Sequence, residues 1–212
     1  GAFGPNLVAL VCWLTGKYRL SKRGVQELLS DLLGTDVSLG TVSNMEREAS
    51  ATLAAPVEEA QAYVREQDVA NADETGWFEC NLRAWLWVAV TPLVAVFKIA
   101  RSRGADVAKE LLGADFAGIL GSDRWSAYSF VDIAKRQLCW AHILRDIQAF
   151  VERGGTSKRI GESLFACASK MFKWWHKVRD GTMSRDAFQK KMLPVAIEFC
   201  NLLAQGASRR NS

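Results

Sequence analysis

The stretch AWLWVAVTPLVAVFKI, residues 84–99, decides the fold class of this chain. Its two apolar runs are rich in residues that favour β-strands, and Thr91 and Pro92 between them supply a turn. The pattern predicts a buried β-hairpin. It does not predict a membrane helix, because a span needs roughly 20 apolar residues and Pro92 and Lys98 interrupt this one.

Further elements are predicted on both sides of this hairpin. They are strands over residues 69–77, 119–122 and 137–140, and helices over residues 105–112 and 141–150. The resulting order is three strands, a helix, a strand, a further strand and a helix. This is the order of the ribonuclease-H-like fold, so we expect an α/β protein with a mixed sheet flanked by helices.

Two acidic residues lie on strands that are neighbours in this topology. Asp73 is carried by the first predicted strand, and Asp123 follows the fourth. The topology would place the two carboxylates side by side, where they repel each other unless a divalent cation binds them. Each Asp taken alone is better explained as a cap or turn residue. The pair predicts a site for Mg²⁺ or Mn²⁺.

Residues 1–66 are predicted to be helical. One helix is capped by Ser21 and ended by Gly34, and another opens at Thr41 after a short turn. Two helices joined by a short turn are typical of the helix-turn-helix DNA-binding motif, although a plain helical subdomain has the same pattern. Basic residues ahead of the pair would hold phosphates, and polar residues of the second helix would face bases: Lys17, Arg19, Lys22, Arg23, Thr41, Ser43 and Asn44.

Residues 151–212 are predicted to return to helix and carry 12 basic and 5 acidic side chains, net +7. Gly154 and Gly155 mark a break before them, Ser184 caps a second helix, and the tail from Gln205 is expected to fray. The charge suits a polyanion such as DNA, or a solvated helical face. We therefore expect three regions, at residues 1–66, 67–150 and 151–212.

The five cysteines are scattered and odd in number, which fits a reduced cytoplasm better than a disulfide framework. The apolar stretch at residues 7–14 lacks the preceding basic residues of a secretory signal. We expect a cytoplasmic protein that does not associate with membranes.

Several segments together resemble the transposases of the insertion sequence 66 family. The resemblance covers almost the whole chain, and the segments that carry it are Ala72–Trp77, Arg83–Val88, Ser122–Tyr128, Gln137–His142, Tyr18–Arg23, Val25–Leu29 and Ser38–Asn44.

This resemblance implies a DDE-type transposase, in which three acids bind two Mg²⁺ ions. Asp73 and Asp123 match the first two acids. The third, a Glu in an Asn-Asn-x-x-Glu-Arg-like context, has no counterpart among Glu152, Glu162 and Glu198. The zinc-binding segment usual upstream in the family is also missing. The resemblance therefore implies an internal fragment or a truncated copy that is inactive alone, with residues 151–205 as a helical insertion.

The resemblance further implies double-stranded DNA as partner, at the element ends and at the target, and a homo-oligomer on that DNA. Arg124, next to Asp123, would contact a phosphate, and Trp125 and Tyr128 either stack on DNA or pack in the core. Cys139 and His142 lack the second ligand pair of a structural zinc site. We expect His142 to act near the catalytic centre and Arg145 to lie close to DNA. A packed Cys and a surface His are the alternative.

Two other functions are also compatible with the sequence. One is a non-catalytic DNA-binding protein, and the other is a different nuclease of ribonuclease-H fold, such as a junction resolvase. The helical region after residue 151 disfavours the resolvase.

Overall fold

The computed structural model of the chain describes residues 3–208. Its helices are α1 Pro5–Gly16, α2 Lys22–Leu33, α3 Leu39–Thr52, α4 Ala54–Arg65, α5 Ala105–Leu112, α6 Trp140–Glu152, α7 Gly155–Arg179 and α8 Arg185–Ser208. Its strands are β1 Val69–Glu79, β2 Leu82–Val90, β3 Ala95–Ala100, β4 Ile119–Ser122 and β5 Arg136–Leu138. A 3₁₀ turn covers Ser126–Tyr128. None of the helices in the described range is both long and apolar enough to cross a membrane.

The five strands form one mixed sheet in the order β3-β2-β1-β4-β5. β1 pairs with β2, and β2 with β3, in antiparallel fashion. Thr91 closes the hairpin: its N–H donates to the Val94 carbonyl over 2.9 Å, and its Oγ1 accepts from the Val94 N–H over 3.1 Å. The predicted ribonuclease-H-like α/β fold is therefore confirmed.

The described chain divides into two compact units. The first runs to Leu120 and also includes Ser126–Lys135, and the second comprises Gly121–Trp125 and everything from Arg136. β1, β2 and β3 belong to the first unit and β5 to the second, while β4 contributes residues to both. The three regions predicted from the sequence, with boundaries at residues 66 and 150, stay a prediction.

One face of the sheet in the first unit carries the core. Side chains alternate between faces along a strand, and Ala70, Ala72 and Glu74 of β1 are buried together with Trp87 and Ala89 of β2. Apolar residues of α4 and α5 cover this face: Val64, Val107, Ala108, Leu111 and Leu112.

The other face of the same strands is largely exposed over the described residues, although Ala84 on that face is buried. Val90 is 37% exposed, Phe97 62% and Ile99 43%. The prediction of a fully buried hairpin was therefore wrong for this face. Apolar side chains at consecutive positions suggested burial on both faces, whereas the helices of the first unit cover one.

The N-terminal helices have a small core of their own, formed by α1, α2 and α3 around Val11, Leu29 and Val42. The predicted limits of α2 are confirmed: Ser21 Oγ accepts from the Gly24 N–H over 3.0 Å, and Gly34 ends the helix with φ 56°. The predicted start of the next helix at Thr41 was two residues late. Ser38 caps α3 instead, because its Oγ accepts from the Thr41 N–H over 3.0 Å.

In the second unit, α6, α7 and α8 pack around Ile147, Ile160 and Leu164. The predicted strand over residues 137–140 was placed too late, because β5 ends at Leu138 and Trp140 already opens α6. Ser184 caps α8 as predicted, accepting from the Ala187 N–H over 3.2 Å. The tail predicted to fray from Gln205 is helical to Ser208, and its remaining four residues lie outside the described ones.

Gly118 allows β4 to lie beside the start of β1. A Cβ atom there would lie 2.3 Å from the Gln67 carbonyl oxygen, and the Ile119 N–H donates to the Asp68 carbonyl over 2.7 Å. We expect Gly118→Ala to lower the free energy of unfolding by about 1–3 kcal/mol, because backbone must move to admit the methyl group. Urea unfolding followed by Trp fluorescence measures this.

The matched control is Gly76→Ala on β1, where a Cβ atom would meet nothing within 4 Å. It should leave stability within about 0.5 kcal/mol of the parent. Equal stability of the Gly118 and Gly76 variants would contradict the close approach.

Candidate active site

Asp73 lies on β1 with its side chain on the face opposite the core. It is exposed, whereas Ala72 and Glu74 on either side of it are buried. Its Oδ1 accepts from the Glu74 main-chain N–H over 3.0 Å, and its register partner on β2 is Val88. The carboxylate is therefore held locally and reaches solvent.

Glu74 is a buried acid that the sequence analysis did not identify as a candidate functional residue. Its side chain is 0% exposed, and Oε1 accepts from Arg103 Nε over 2.8 Å and Nη2 over 2.7 Å. Its Oε2 accepts from the Tyr128 hydroxyl. The signal was present in the sequence, because Glu74 is in phase with Ala70 and Ala72 along the strand.

Aromatic rings pack against the two hydrogen-bond partners of Glu74. The Arg103 guanidinium lies 4.8 Å from the ring centroid of Trp85, and the rings of Trp87 and Tyr128 meet edge to face at 6.1 Å. Trp87 Nε1 also donates to the Ser102 carbonyl over 3.2 Å. Tyr128 is thus fully buried, so core packing is confirmed for it and stacking on DNA was wrong.

Asp123 lies in the second unit, in the loop directly after β4, and is half-exposed. Its Oδ1 accepts from the Trp125 N–H over 2.8 Å, which forms a tight local turn. Its main-chain carbonyl accepts from Ser122 Oγ over 2.9 Å and from Arg136 Nη2 over 3.2 Å. The Cys139 N–H donates to the Ser122 carbonyl over 2.7 Å. The loop is therefore held from β5 and from the cap of α6.

Arg124, predicted to contact a phosphate, is exposed and forms an ion pair with Asp146 of α6. The neighbouring Trp125 is 38% exposed. Asp146 thus partly compensates the charge of Arg124 in the absence of DNA.

His142 lies in the first turn of α6, and Arg145 is exposed on the same helix. The Nδ1 atom of His142 and the Nε atom of Arg136 are buried without a hydrogen-bond partner among the described residues. Cys139 is the N-cap of α6. Over residues 3–208, no group of three or more His, Cys, Asp or Glu is gathered that could hold a metal ion.

The predicted DNA-contacting residues of the N-terminal helices are partly bonded to one another. Lys22 Nζ donates to Ser43 Oγ over 2.9 Å and pairs with Glu46 over 2.8 Å. Thr41 Oγ1 lies 2.9 Å from Ser38 Oγ.

The remaining members of this set lie at the surface. Lys17, Arg19, Arg23 and Asn44 are exposed, and Lys17 Nζ lies 5.3 Å from the ring centroid of Trp13. Asn44 Oδ1 accepts from Arg47 over 2.9 Å. Their role in binding DNA stays a prediction.

The sheet order and its helices define a ribonuclease-H-like α/β protein, with one acid on β1 and another directly after β4. Within that class, the chain belongs to the IS66 family of transposases, whose family model matches residues 1–211. No individual curated protein matches the chain. Family membership gives the chain a transposase role and DNA as partner.

Asp146 lowers the positive charge that Arg124 presents. We expect Asp146→Asn to tighten binding of a short DNA duplex by about two- to fivefold at low salt, because the exposed ion pair is lost and Arg124 is freed for a phosphate. Fluorescence anisotropy at several salt concentrations measures this.

Glu110→Gln is the matched control, since Glu110 forms an exposed ion pair with Lys98 in the first unit and the change in net charge is the same. An equal gain in both variants would trace the effect to net charge and not to Arg124.

Proposed function

We propose that the chain carries two acids of a DDE-type DNA transposase, and that Asp73 and Asp123 bind Mg²⁺ or Mn²⁺ for cutting and joining DNA strands. The observation that carries this proposal is the strand order. β1, which bears Asp73, is the neighbour of β4, and Asp123 is the residue after β4. Membership of a transposase family supports the same reading.

The chemistry of the two side chains suits a hard divalent cation. Carboxylate oxygens are the ligands that Mg²⁺ prefers, and it often takes one or two carboxylates together with substrate phosphates. Asp73 is exposed and Asp123 half-exposed, so a hydrated ion can reach both. A bound ion would activate a water molecule and stabilise the charge on the leaving oxygen of a phosphodiester.

The residues of the chain would orient the DNA around these acids. Arg124, His142 and Arg145, all close in sequence to Asp123 or on α6, would hold the backbone beside the cut. The N-terminal residues would hold the duplex further away: Lys17, Arg19, Lys22 and Arg23 on phosphates, and Thr41, Ser43 and Asn44 toward bases. Positively charged side chains release counterions from DNA, which favours binding at low salt.

We also propose that the protein acts in the cytoplasm on double-stranded DNA, both at the ends of the element and at the target. Because an element has two ends, we propose a homo-oligomer on DNA. A non-catalytic DNA-binding protein is the rival, and the described residues 3–208 contain no group of three or more His, Cys, Asp or Glu that could hold a metal ion.

We expect Asp123→Asn and Asp73→Asn to abolish strand transfer in the intact transposase that carries this sequence, because an amide is a poor ligand for Mg²⁺. Binding to the element ends should persist. Strand transfer is measured with labelled end duplexes in Mg²⁺, and binding by gel shift.

Asp180→Asn is the control, since it removes an exposed acid at the end of α7 that pairs with Arg179. Strand transfer retained in the Asp123 variant would refute the assignment. DNA binding without any metal-dependent cleavage by the unsubstituted protein would favour the non-catalytic rival.

A second prediction concerns the N-terminal helices. We expect Arg23→Ala to weaken DNA binding and to lower the slope of log affinity against log salt by about 0.9, the value for one lost phosphate contact. Anisotropy titrations across a salt series give this slope. Arg101→Ala, at the far end of the hairpin and paired with Glu79, is the control with the same charge change. Identical slopes for both variants would exclude the role of Arg23.

A further inference from the structure

The buried acid Glu74 joins two segments of the first unit that lie far apart in sequence. Its hydrogen bond to Tyr128 spans 54 residues, and its pair with Arg103 spans 29. Glu74 directly follows Asp73 on β1. Tyr128 lies five residues after Asp123, in the 3₁₀ turn into which the Asp123 loop leads. The network therefore joins the strand that carries Asp73 to two other segments of the first unit.

A buried carboxylate is an unusual way to stabilise a core. Desolvation of the charge opposes burial, and well-packed apolar side chains of similar volume often stabilise as well or better. Both Glu74 oxygens are engaged by directional bonds, which fix the position of each partner more narrowly than apolar contact does. Arg103 is in turn held against the ring of Trp85. The arrangement restricts movement of β1 relative to the turn at Tyr128.

We propose that Glu74 is a positioning residue for metal binding by Asp73, acting through its bonds to Tyr128 and Arg103. The inference rests on the proposed function, since it assumes that Asp73 is a metal ligand. Alternation along β1 directs Glu74 into the core while Asp73 faces solvent, so Glu74 orients the strand without contacting the ion.

Mn²⁺ titrated into the chain, with the free ion measured by electron paramagnetic resonance, tests this proposal. Tyr128→Phe removes one hydroxyl and keeps the ring against Trp87, so the core stays filled. We expect it to weaken Mn²⁺ binding by about fivefold, which is below the roughly 10- to 100-fold typical of groups bonded directly to a metal ligand, because Tyr128 acts through Glu74 and the strand. Glu74→Gln, which keeps the shape and removes the charge, should weaken binding at least as much.

Val64→Ala is the matched control for simple loss of stability, since Val64 is fully buried in the same core on α4 and touches none of the network's hydrogen bonds. It should lower the melting temperature and leave Mn²⁺ affinity within about twofold of the parent. Asp73→Asn and Asp123→Asn should each abolish the binding.

The outcomes separate the inference from the proposed function. A folded Tyr128→Phe chain with unchanged Mn²⁺ affinity, beside lost binding in both Asp variants, would overturn the positioning role and leave the ligands in place. Equal weakening in the Tyr128 and Val64 variants would overturn it as well. Unaltered binding in the Asp variants, or no saturable Mn²⁺ binding by the parent chain, would reject the proposed ligands and the inference together.

Discussion

The carboxylate of Glu74 must be compensated where it lies, because water does not reach it. Removing one partner from such a buried pair typically costs about 3–5 kcal/mol, since the remaining charge stays buried and uncompensated. Arg103 is therefore not interchangeable with an apolar residue while Glu74 is present, and the Tyr128 hydroxyl supplies a bond to the second oxygen of Glu74. This requirement fixes where the segment before α5 and the turn after Asp123 meet β1, and the first unit's core of Trp87 and its neighbours is arranged around it.

Strand β1 also determines which of its two adjacent acids, Asp73 or Glu74, is accessible to a metal ion. Asp73 and Glu74 are adjacent in sequence, but successive side chains of a β-strand point to opposite faces. Glu74 faces the core with both oxygens engaged, and Asp73 faces solvent. These two neighbours therefore do not form a carboxylate pair on one face of the sheet. In the metal site proposed above, the partner of Asp73 comes from another strand or loop, and β4 is the neighbour of β1 in the sheet.

Many helix and strand limits could be predicted from the sequence, because caps, turns and short apolar runs depend on residues close to one another in the chain. Ser21 and Gly34 limit α2, and α5 and β4 have their predicted bounds. The start of α3 was misplaced because residues 35–40 were assigned to a turn, whereas Ser38 already caps the helix. The contacts of Glu74 could not be predicted from local pattern, because residues 74 and 128 lie far apart in the sequence and meet only in the folded chain. The face of the hairpin left open was missed for the same reason, since burial depends on which helices pack against it.

Intramolecular ion pairs do not remove the predicted DNA-contacting cations from use. Lys22 pairs with Glu46, and Arg124 pairs with Asp146, and in both pairs the side chains are substantially exposed. Exposed pairs contribute about 0–1 kcal/mol, and salt screens them further. A phosphate contact gains from counterion release as well as direct attraction, so it can displace such a pair at modest cost. The compensated state instead limits how strongly each cation attracts arbitrary anions.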